Sequence, residues 1–574
     1  MMGHGCRKIV AVQPPASKGE PSQISVSLLF VFSSSSKSVA ALAGAGCHFP
    51  WAHVESCSGP FFSLLCALRE LRVKCLGSLR QIQMPAFFIE QFGCRATQAD
   101  GAALERQLLD RGCTSAPTVS AADIVVVNTC TVTASADAQA RDAIRKLHAA
   151  NPAVRIIATG CYAQRAPEEL AALPGVAWVV GNSHKPQIPQ LVDSLSTGAP
   201  AEPAKSANDF FPAAALHLDS TVPFHSFVGA QLYPERSRGN VATHLGNILT
   251  GDIFEQRTLL SAPVLGGEGN HTRPTLKIQD GCDSRCSYCV IPFVRGKSRS
   301  LPPETVLHEI QRLSNSGYRE IVLSGINLGT YGRDLSPRVE FEDLLGRVLG
   351  ETAVERLRIS SIEPLDVTQD LVDLFASTER IAQHFHMPLQ SGSDRILAAM
   401  HRWYRAEHYA RRVALIHERL PHAAIGADVI TGFPGETEAE HAATLAFIER
   451  LPFTYLHVFS FSKRPGTKAA ALSNEVPGAI IKRRARELRA LSELKAAAFR
   501  RSQIGRTLRV LTLRRNEDAE TQATPAISSN YLTLAVSGRH LPNAWLDVQV
   551  SADVCYCAPT GTIPAFDASV LASR

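Results

Sequence analysis

The chain has 574 residues, of which 45% are hydrophobic and 20% charged, the composition of an ordinary globular protein with room for three or four domains. No run of about 18 uncharged apolar residues occurs, so no membrane span is expected. The net charge of +6 is modest, and the position of the basic residues matters more than their sum. Fourteen cysteines are too dilute here for a disulfide scaffold, and most of those beyond residue 84 fall into patterns, which favours metal binding in a reducing compartment.

Residues 1–83 differ from the rest. They combine Ser33-Ser34-Ser35-Ser36 with scattered Cys6, Cys47, Cys57, Cys66 and Cys75, and hold no steady periodicity. The apolar stretch from Ile24 to Phe32 is only loosely similar to a signal peptide. The expectation is a native start at Met84, with residues 1–83 a non-native or disordered extension.

From residue 84 to 194 strands and helices alternate. Phe87 to Phe92 reads as a strand followed by Gly93-Cys94, and a helix is expected over about 100–111. Asp123 to Val127 is a continuous Ile/Val run, the mark of a strand buried on both faces, and leads to Asn128-Thr129-Cys130. After a helix over about 135–149, Arg155 to Ala158 forms a third strand before Thr159-Gly160-Cys161, and Ala177 to Val180 a fourth. Such alternation implies a parallel sheet, whose sites form outside the carboxyl ends of its strands. Cys94, Cys130 and Cys161 all sit at that edge and are expected in one crevice, the alternative being three unrelated loop cysteines. Cys113 ends a helix and is left out. Residues 195–270 are rich in Ala, Pro, Ser and Gly and read as a linker, with an insertion over about 224–255.

Residues 271–480 carry the densest chemical signal. Cys282, Cys286 and Cys289 stand at C-x3-C-x2-C, three thiolates within eight residues. They can hold three irons of a four-iron cluster and leave the fourth open, and an open metal position marks chemistry. Structural zinc is the alternative, but no fourth Cys or His lies nearby with ligand spacing. Strands are expected at Leu276–Gln279, Glu320–Leu323, Leu357–Ser360, His384–Leu389, Ala424–Ile430 and Tyr455–Phe459, six units that suit a partial (β/α)6 barrel with the cysteine loop on its C-terminal face. The same face carries Ser324-Gly325, Ser361, Glu363, Gln390-Ser391 and Asp428, each of which also reads as a turn or rim residue.

Lys482 to Arg515 holds twelve Lys or Arg against two Glu. Residues 481–502 read as a basic helical connector, either a solvated face or a footprint for phosphates. Short β-type runs over 503–566 (Leu508–Leu513, Tyr531–Val536, Leu546–Val550) suggest a small antiparallel barrel. Cys555 and Cys557 read as incidental.

The spacing C-x3-C-x-aromatic-C over Cys282-Asp283-Ser284-Arg285-Cys286-Ser287-Tyr288-Cys289 resembles the radical S-adenosylmethionine (SAM) enzymes. That resemblance implies a [4Fe–4S] cluster on Cys282, Cys286 and Cys289, with SAM chelated at the open iron and cleaved to a 5′-deoxyadenosyl radical. It puts Tyr288 near the adenine, and Ser324, Gly325, Glu363, Gln390, Ser391 and Asp428 around SAM and substrate. Ser324-Gly325-Ile326-Asn327 stands where a Gly-Gly-Glu-like motif is usual and departs from it.

Gly93-Cys94-Arg95, Asn128-Thr129-Cys130-Thr131-Val132-Thr133, Thr159-Gly160-Cys161-Tyr162-Ala163-Gln164 and Phe461-Ser462-Lys463-Arg464-Pro465-Gly466-Thr467 resemble the methylthiotransferases. In that radical-SAM family a second [4Fe–4S] cluster on three cysteines, here Cys94, Cys130 and Cys161, delivers sulfur. The last domain resembles a diverged TRAM domain, an OB-like RNA-binding module, with Ser529-Asn530-Tyr531 as its clearest piece. Leu276-Lys277-Ile278-Gln279-Asp280-Gly281-Cys282 is most similar to the branch acting on threonylcarbamoyl-adenosine in the tRNA anticodon stem-loop, with SAM spent both as radical source and as methyl donor.

The family also acts on isopentenyl-adenosine in tRNA and on an aspartate of a ribosomal protein. A non-catalytic iron-sulfur RNA-binding protein is the reading from another class. The resemblance further implies a cytoplasmic monomer reduced by a flavodoxin or ferredoxin, with the sulfur donor unspecified.

Overall fold

The computed structural model describes residues 84–197, 247–257, 259–265, 272–514, 523–555 and 566–570. Residues 1–83, residues 224–246 of the insertion, and Cys557 lie outside the described residues, as does the side chain of Cys555.

The first domain is a parallel six-stranded sheet in the order β2-β1-β3-β4-β5-β6, built from β1 (Ala86–Gln91), β2 (Thr114–Ser115), β3 (Ile124–Thr129), β4 (Arg155–Gly160), β5 (Val176–Gly181) and β6 (Asn247–Leu249). Every residue of β3 is buried. Its side chains alternate, as a strand's must: Val125 and Val127 enter the core on one face, and Ile124 and Val126 the core on the other. Helices α1 (Arg95–Asp110), α2 (Ala134–Ala150) and α3 (Cys161–Arg165) follow β1, β3 and β4 directly or after a few residues.

Two features differ from the sequence reading. Helix α1 starts at Arg95 rather than near residue 100, with Cys94 as its N-cap residue, because no Ser, Thr, Asp or Asn marks the true start. The region read as linker supplies strand β6, which pairs with β5. Cys113 is packed into the apolar core beside Leu104 and Leu108.

The second domain holds six parallel strands in chain order. Thr275–Lys277 (β7), Glu320–Ser324 (β10) and Arg356–Ile359 (β11) form one sheet, and His384–His386 (β12), Ala424–Thr431 (β13) and Tyr455–Ser460 (β14) another. A parallel bridge from Leu357 to Ile381 joins the two. Helices Pro303–Asn315, Phe341–Glu351, Gln369–Ala376, Ala406–Arg419 and α5 (Glu438–Arg450) cover the outside. Among the described strands β7 and β14 do not pair, so the half-barrel stays open there; α1 packs against β7, and α6 (Gly478–Ser502) against β14.

The expected strand Leu276–Gln279 is broken at Ile278. Gln279–Asp280 (β8) turn away and pair antiparallel with Arg299–Ser300 (β9), closing the base of the cysteine loop. Gly281 makes this closure possible: its φ is +73°, and a Cβ there would stand 1.9 Å from the Lys297 carbonyl oxygen.

The last domain is a closed five-stranded barrel in the order β15-β16-β17-β19-β18, from β15 (Thr507–Thr512), β16 (Thr524–Ser528), β17 (Thr533–Val536), β18 (Trp545–Cys555) and β19 (Phe566–Val570). Its pairs are antiparallel except β17–β19, which is parallel. Strand β16 carries Pro525, a residue that argues against a paired strand; the proline still serves the ladder through its carbonyl, which accepts from the Leu513 N–H at 2.7 Å.

Candidate active site

Strands β1, β3 and β4 are neighbours, and the three N-terminal cysteines leave their carboxyl ends side by side. Gly93 permits the approach: its φ is +102°, and a Cβ there would lie 2.4 Å from the Cys130 Cβ. Cys130 and Cys161 are buried, whereas Cys94 is exposed. Burial, together with Cys161 and Cys94 nearby, pushes the Cys130 thiol up to about 12. All are free thiols. Three thiols that oppose one another's ionisation without forming a disulfide fit a site whose charge balance is completed by bound cations.

The second trio sits on the loop between β8 and β9. Its backbone is pinned by Cys282 N–H to the Gly296 carbonyl (3.0 Å), Ser287 N–H to the Met400 carbonyl (2.9 Å) and Ser287 Oγ to the Ala399 carbonyl (2.7 Å). Burial raises Cys282, and burial with Cys286 alongside pushes Cys289 up to about 12. Arg402 Nη1 donates to Cys286 Sγ at 3.5 Å, while the same guanidinium pairs with Glu363 through Nη1 and Nη2. Sequence reasoning named Glu363 and missed Arg402, because Met400-His401-Arg402 is an ordinary helix end until the fold brings it under the cysteine loop.

The two trios meet. Cys161 packs with Val290 and Val294, which follow Cys289 on α4 (Ile291–Arg295) and its approach. Asn182 Nδ2 donates both to Cys161 Sγ (3.6 Å) and to the Val294 carbonyl (2.7 Å). Beneath them lies a buried ionic cluster in which Asp100 and Asp280 face Lys185, Lys277, Arg295 and Arg299. Burial opposes the Asp100 charge, but Lys185, Lys277 and Arg295 outweigh it and hold the carboxyl at about 2. The cations outnumber the carboxylates; burial raises the Cys161 thiol, and Arg295 opposes that rise. A positive surplus beside three cysteines suits an anionic cysteine-held cluster.

Beside Cys289 of the second trio, and bordered by the loop that follows Cys130, opens a cavity of about 270 Å³. Val132 and Thr133 come to it from the loop after Cys130, Tyr288, Cys289 and Val290 from the second cysteine loop, and Gln390, Asp428, Ile430 and residues 459–462 from the half-barrel. Tyr288, Gln390 and Asp428 therefore line this one cavity. Ser324, Gly325, Glu363 and Ser391 are not on it. The Ser324 carbonyl accepts from the Ile278 N–H, and a side chain at Gly325 would meet Leu328 and Gln279, so close packing within the chain accounts for that glycine. The Ser391 hydroxyl is bonded to Thr444 Oγ1 at 3.3 Å.

Asp428 accepts from His386 Nε2 (3.0 Å) and His457 Nδ1 (3.2 Å). Burial works against its charge, yet these two hydrogen bonds hold its carboxyl well below the usual range. The ligand atoms of the three lie within 4.8 Å of one another, close enough for a divalent ion. Tyr455 Oη joins His386 to His384 (3.0 and 2.7 Å), and Tyr531 of the last barrel stacks on His384 with centroids 4.2 Å apart. Ser529-Asn530-Tyr531 is thus turned inward against the half-barrel; Arg358 donates to the Ser529 and Ser528 carbonyls, and Asn530 to that of His422.

Comparison with known proteins matches residues 86–181 to an uncharacterized protein family, UPF0004, and residues 276–448 to the radical SAM superfamily. The chain is 34% identical to the threonylcarbamoyladenosine tRNA methylthiotransferase MtaB of Aquifex aeolicus (strain VF5) over 78% of its own length and 96% of that protein. It is 33% identical to the Bacillus subtilis (strain 168) enzyme of the same name, over 78% and 89%. To the tRNA-2-methylthio-N(6)-dimethylallyladenosine synthase of Syntrophobacter fumaroxidans (strain DSM 10017 / MPOB) it is 32% identical over 70% and 79%. The two family models together cover both cysteine trios, and the chain belongs to the radical SAM methylthiotransferases, enzymes that work with S-adenosylmethionine and [4Fe–4S] clusters.

Proposed function

We propose that the protein adds a methylthio group to C2 of N6-threonylcarbamoyladenosine next to the anticodon of a tRNA. The observation that carries methylthiolation is the single cavity bounded by the loops of both cysteine trios. Support for this nucleoside comes from identity at equal coverage: matched over 96% of its length, the Aquifex relative is 34% identical, and a dimethylallyladenosine synthase matched over 96% of its length is 28% identical.

In this reading Cys282, Cys286 and Cys289 hold one [4Fe–4S] cluster together with SAM, and Cys94, Cys130 and Cys161 hold the other. When bound, these groups supply hydrogen abstraction, sulfur and, from a second SAM, the methyl. The chain's own residues position and enclose the reaction. Tyr288, packed against Ile396, Met400 and Phe433, forms one wall. Arg402 ties the Cys286 loop to Glu363, and Asp428, held ionised by His386 and His457, presents an acceptor to the base. Residues 84–194 with β6 form the sulfur-delivering domain, 271–480 the radical core, and 503–566 a TRAM-like RNA-binding barrel. The enzyme works in the cytoplasm as a monomer, with a flavodoxin or ferredoxin as reductant.

Anaerobically reconstituted enzyme given SAM, a reductant and tRNA bearing either threonylcarbamoyl- or isopentenyl-adenosine tests this by mass spectrometry of the nucleosides. A methylthio product on the first substrate alone is expected. Product on the second alone, or on neither, overturns the assignment. In the same preparation the Cys94/Cys130/Cys161 triple alanine variant is expected to drop from about eight irons to about four and still cleave SAM.

A further inference from the structure

Helix α6 carries two kinds of basic residue. Arg483 pairs with Glu438 (2.7 Å) and Glu487 (3.1 Å), and the buried Arg484 pairs with Glu436 (2.8 Å) and Glu438 (3.1 Å). Lys482, Arg486 and Arg489 are exposed, and among the described residues no ion pair engages them. Their spacing i, i+4, i+7 puts them on one helix face, where like charges repel by about 0.2–0.5 kcal/mol per neighbouring pair. A face that only needed hydration would be better served by interspersed carboxylates.

These three side chains line an open groove with Ser460, Ala479 and Ala485, and among the described residues no carboxylate lines it. Ser460 is also a wall of the cavity that touches Cys289 and Asp428. Beside it on β14 stands Phe459, 46% exposed despite its size. An unpaired cationic track that ends at an exposed aromatic ring is how proteins hold single-stranded nucleic acid, with phosphates on the cations and a base stacked on the ring.

We propose that the groove of Lys482, Arg486 and Arg489 binds the RNA backbone next to the target adenosine, separately from the small C-terminal barrel, while Phe459 stacks a base at the cavity mouth. The proposal rests on the tRNA reading above. Three phosphate contacts on a single strand should contribute about 2 to the slope of log K against log salt, at about 0.7 per contact.

The test is fluorescence anisotropy of a labelled anticodon stem-loop RNA with the reconstituted holoenzyme, from 50 to 300 mM NaCl. The variant K482Q/R486Q/R489Q is expected to bind at least about tenfold more weakly at 100 mM salt with a slope shallower by about 2, while iron content and RNA-independent SAM cleavage stay unchanged. Arg483→Gln, on the same helix but paired, should bind as wild type. Arg486→Gln alone should flatten the slope by about 0.7, which keeps the test decisive if the triple variant folds poorly. Unchanged affinity and slope in Arg486→Gln and the triple variant, with wild type binding the RNA, overturn this inference alone. No RNA binding by wild type overturns the substrate reading with it.

Discussion

Arg402 is the side chain that touches a cysteine sulfur and a half-buried carboxylate at once. Burial raises Glu363, and Arg402 opposes that rise, so removal of the guanidinium leaves a carboxyl that takes up a proton more readily. It also withdraws a positive charge from Cys286, which disfavours an added electron at the cluster. Arg402→Leu is therefore expected to keep its iron but show a more negative reduction potential in an EPR redox titration. SAM cleavage should fall roughly tenfold or more, the scale of a lost charge-assisted hydrogen bond of about 1.5–3 kcal/mol. At this scale the six cysteines were legible, because their spacing and their places at strand ends are local. Arg402 was not, since its partners lie 116 and 39 residues away.

At the scale of elements, one buried carboxylate organises the joint between half-barrel and C-terminal barrel. Glu320 on β10 sits between Arg356 and Arg358 on β11 and Arg273, and although burial opposes it, they hold its charge far below the ordinary glutamate range. The same two β11 arginines reach the Ile527, Ser528 and Ser529 carbonyls of the small barrel. Arg358→Ala removes both hydrogen bonds to that barrel from one side chain, and Tyr531 loses the cation over its ring. Limited proteolysis should then cut near residues 503–506 at least tenfold faster than in wild type, with SAM cleavage retained. The strands themselves were readable from their Ile/Val runs. β2, β6 and β16 were missed because two or three residues carry no period, and because Pro525 argues against a paired strand.

For the whole molecule, the buried cluster of Asp100, Asp280 and their cations joins the first domain to the radical core. Asp100→Asn leaves Lys185, Lys277 and Arg295 short of a counter-charge in a buried site, and urea unfolding should show a loss of about 3–5 kcal/mol. The pH dependence has a definite sign. The folded-state carboxyl lies at about 2, below its ordinary value of 3.8, so its contribution is present above about pH 4 and disappears as pH falls toward 2. That contribution is about 2 kcal/mol at one pH unit per 1.36 kcal/mol. The stability of Asp100→Asn should therefore be flatter than wild type across that window.

The sequence by itself determined the chemistry and its scaffold. Two cysteine trios, parallel strands ending at them, a six-unit half-barrel and a basic helix before a small barrel follow from spacing and periodicity, which are properties of neighbouring residues. Only the tertiary structure decided that the loops carrying the two trios border one cavity, that Ser324, Gly325, Glu363 and Ser391 stand off its wall, and that Ser529-Asn530-Tyr531 faces inward. It alone separated the paired arginines of α6 from the unpaired. The physical reason is that whether a charge is buried, paired or free depends on which surface docks against it, and that is set by residues tens to hundreds of positions away.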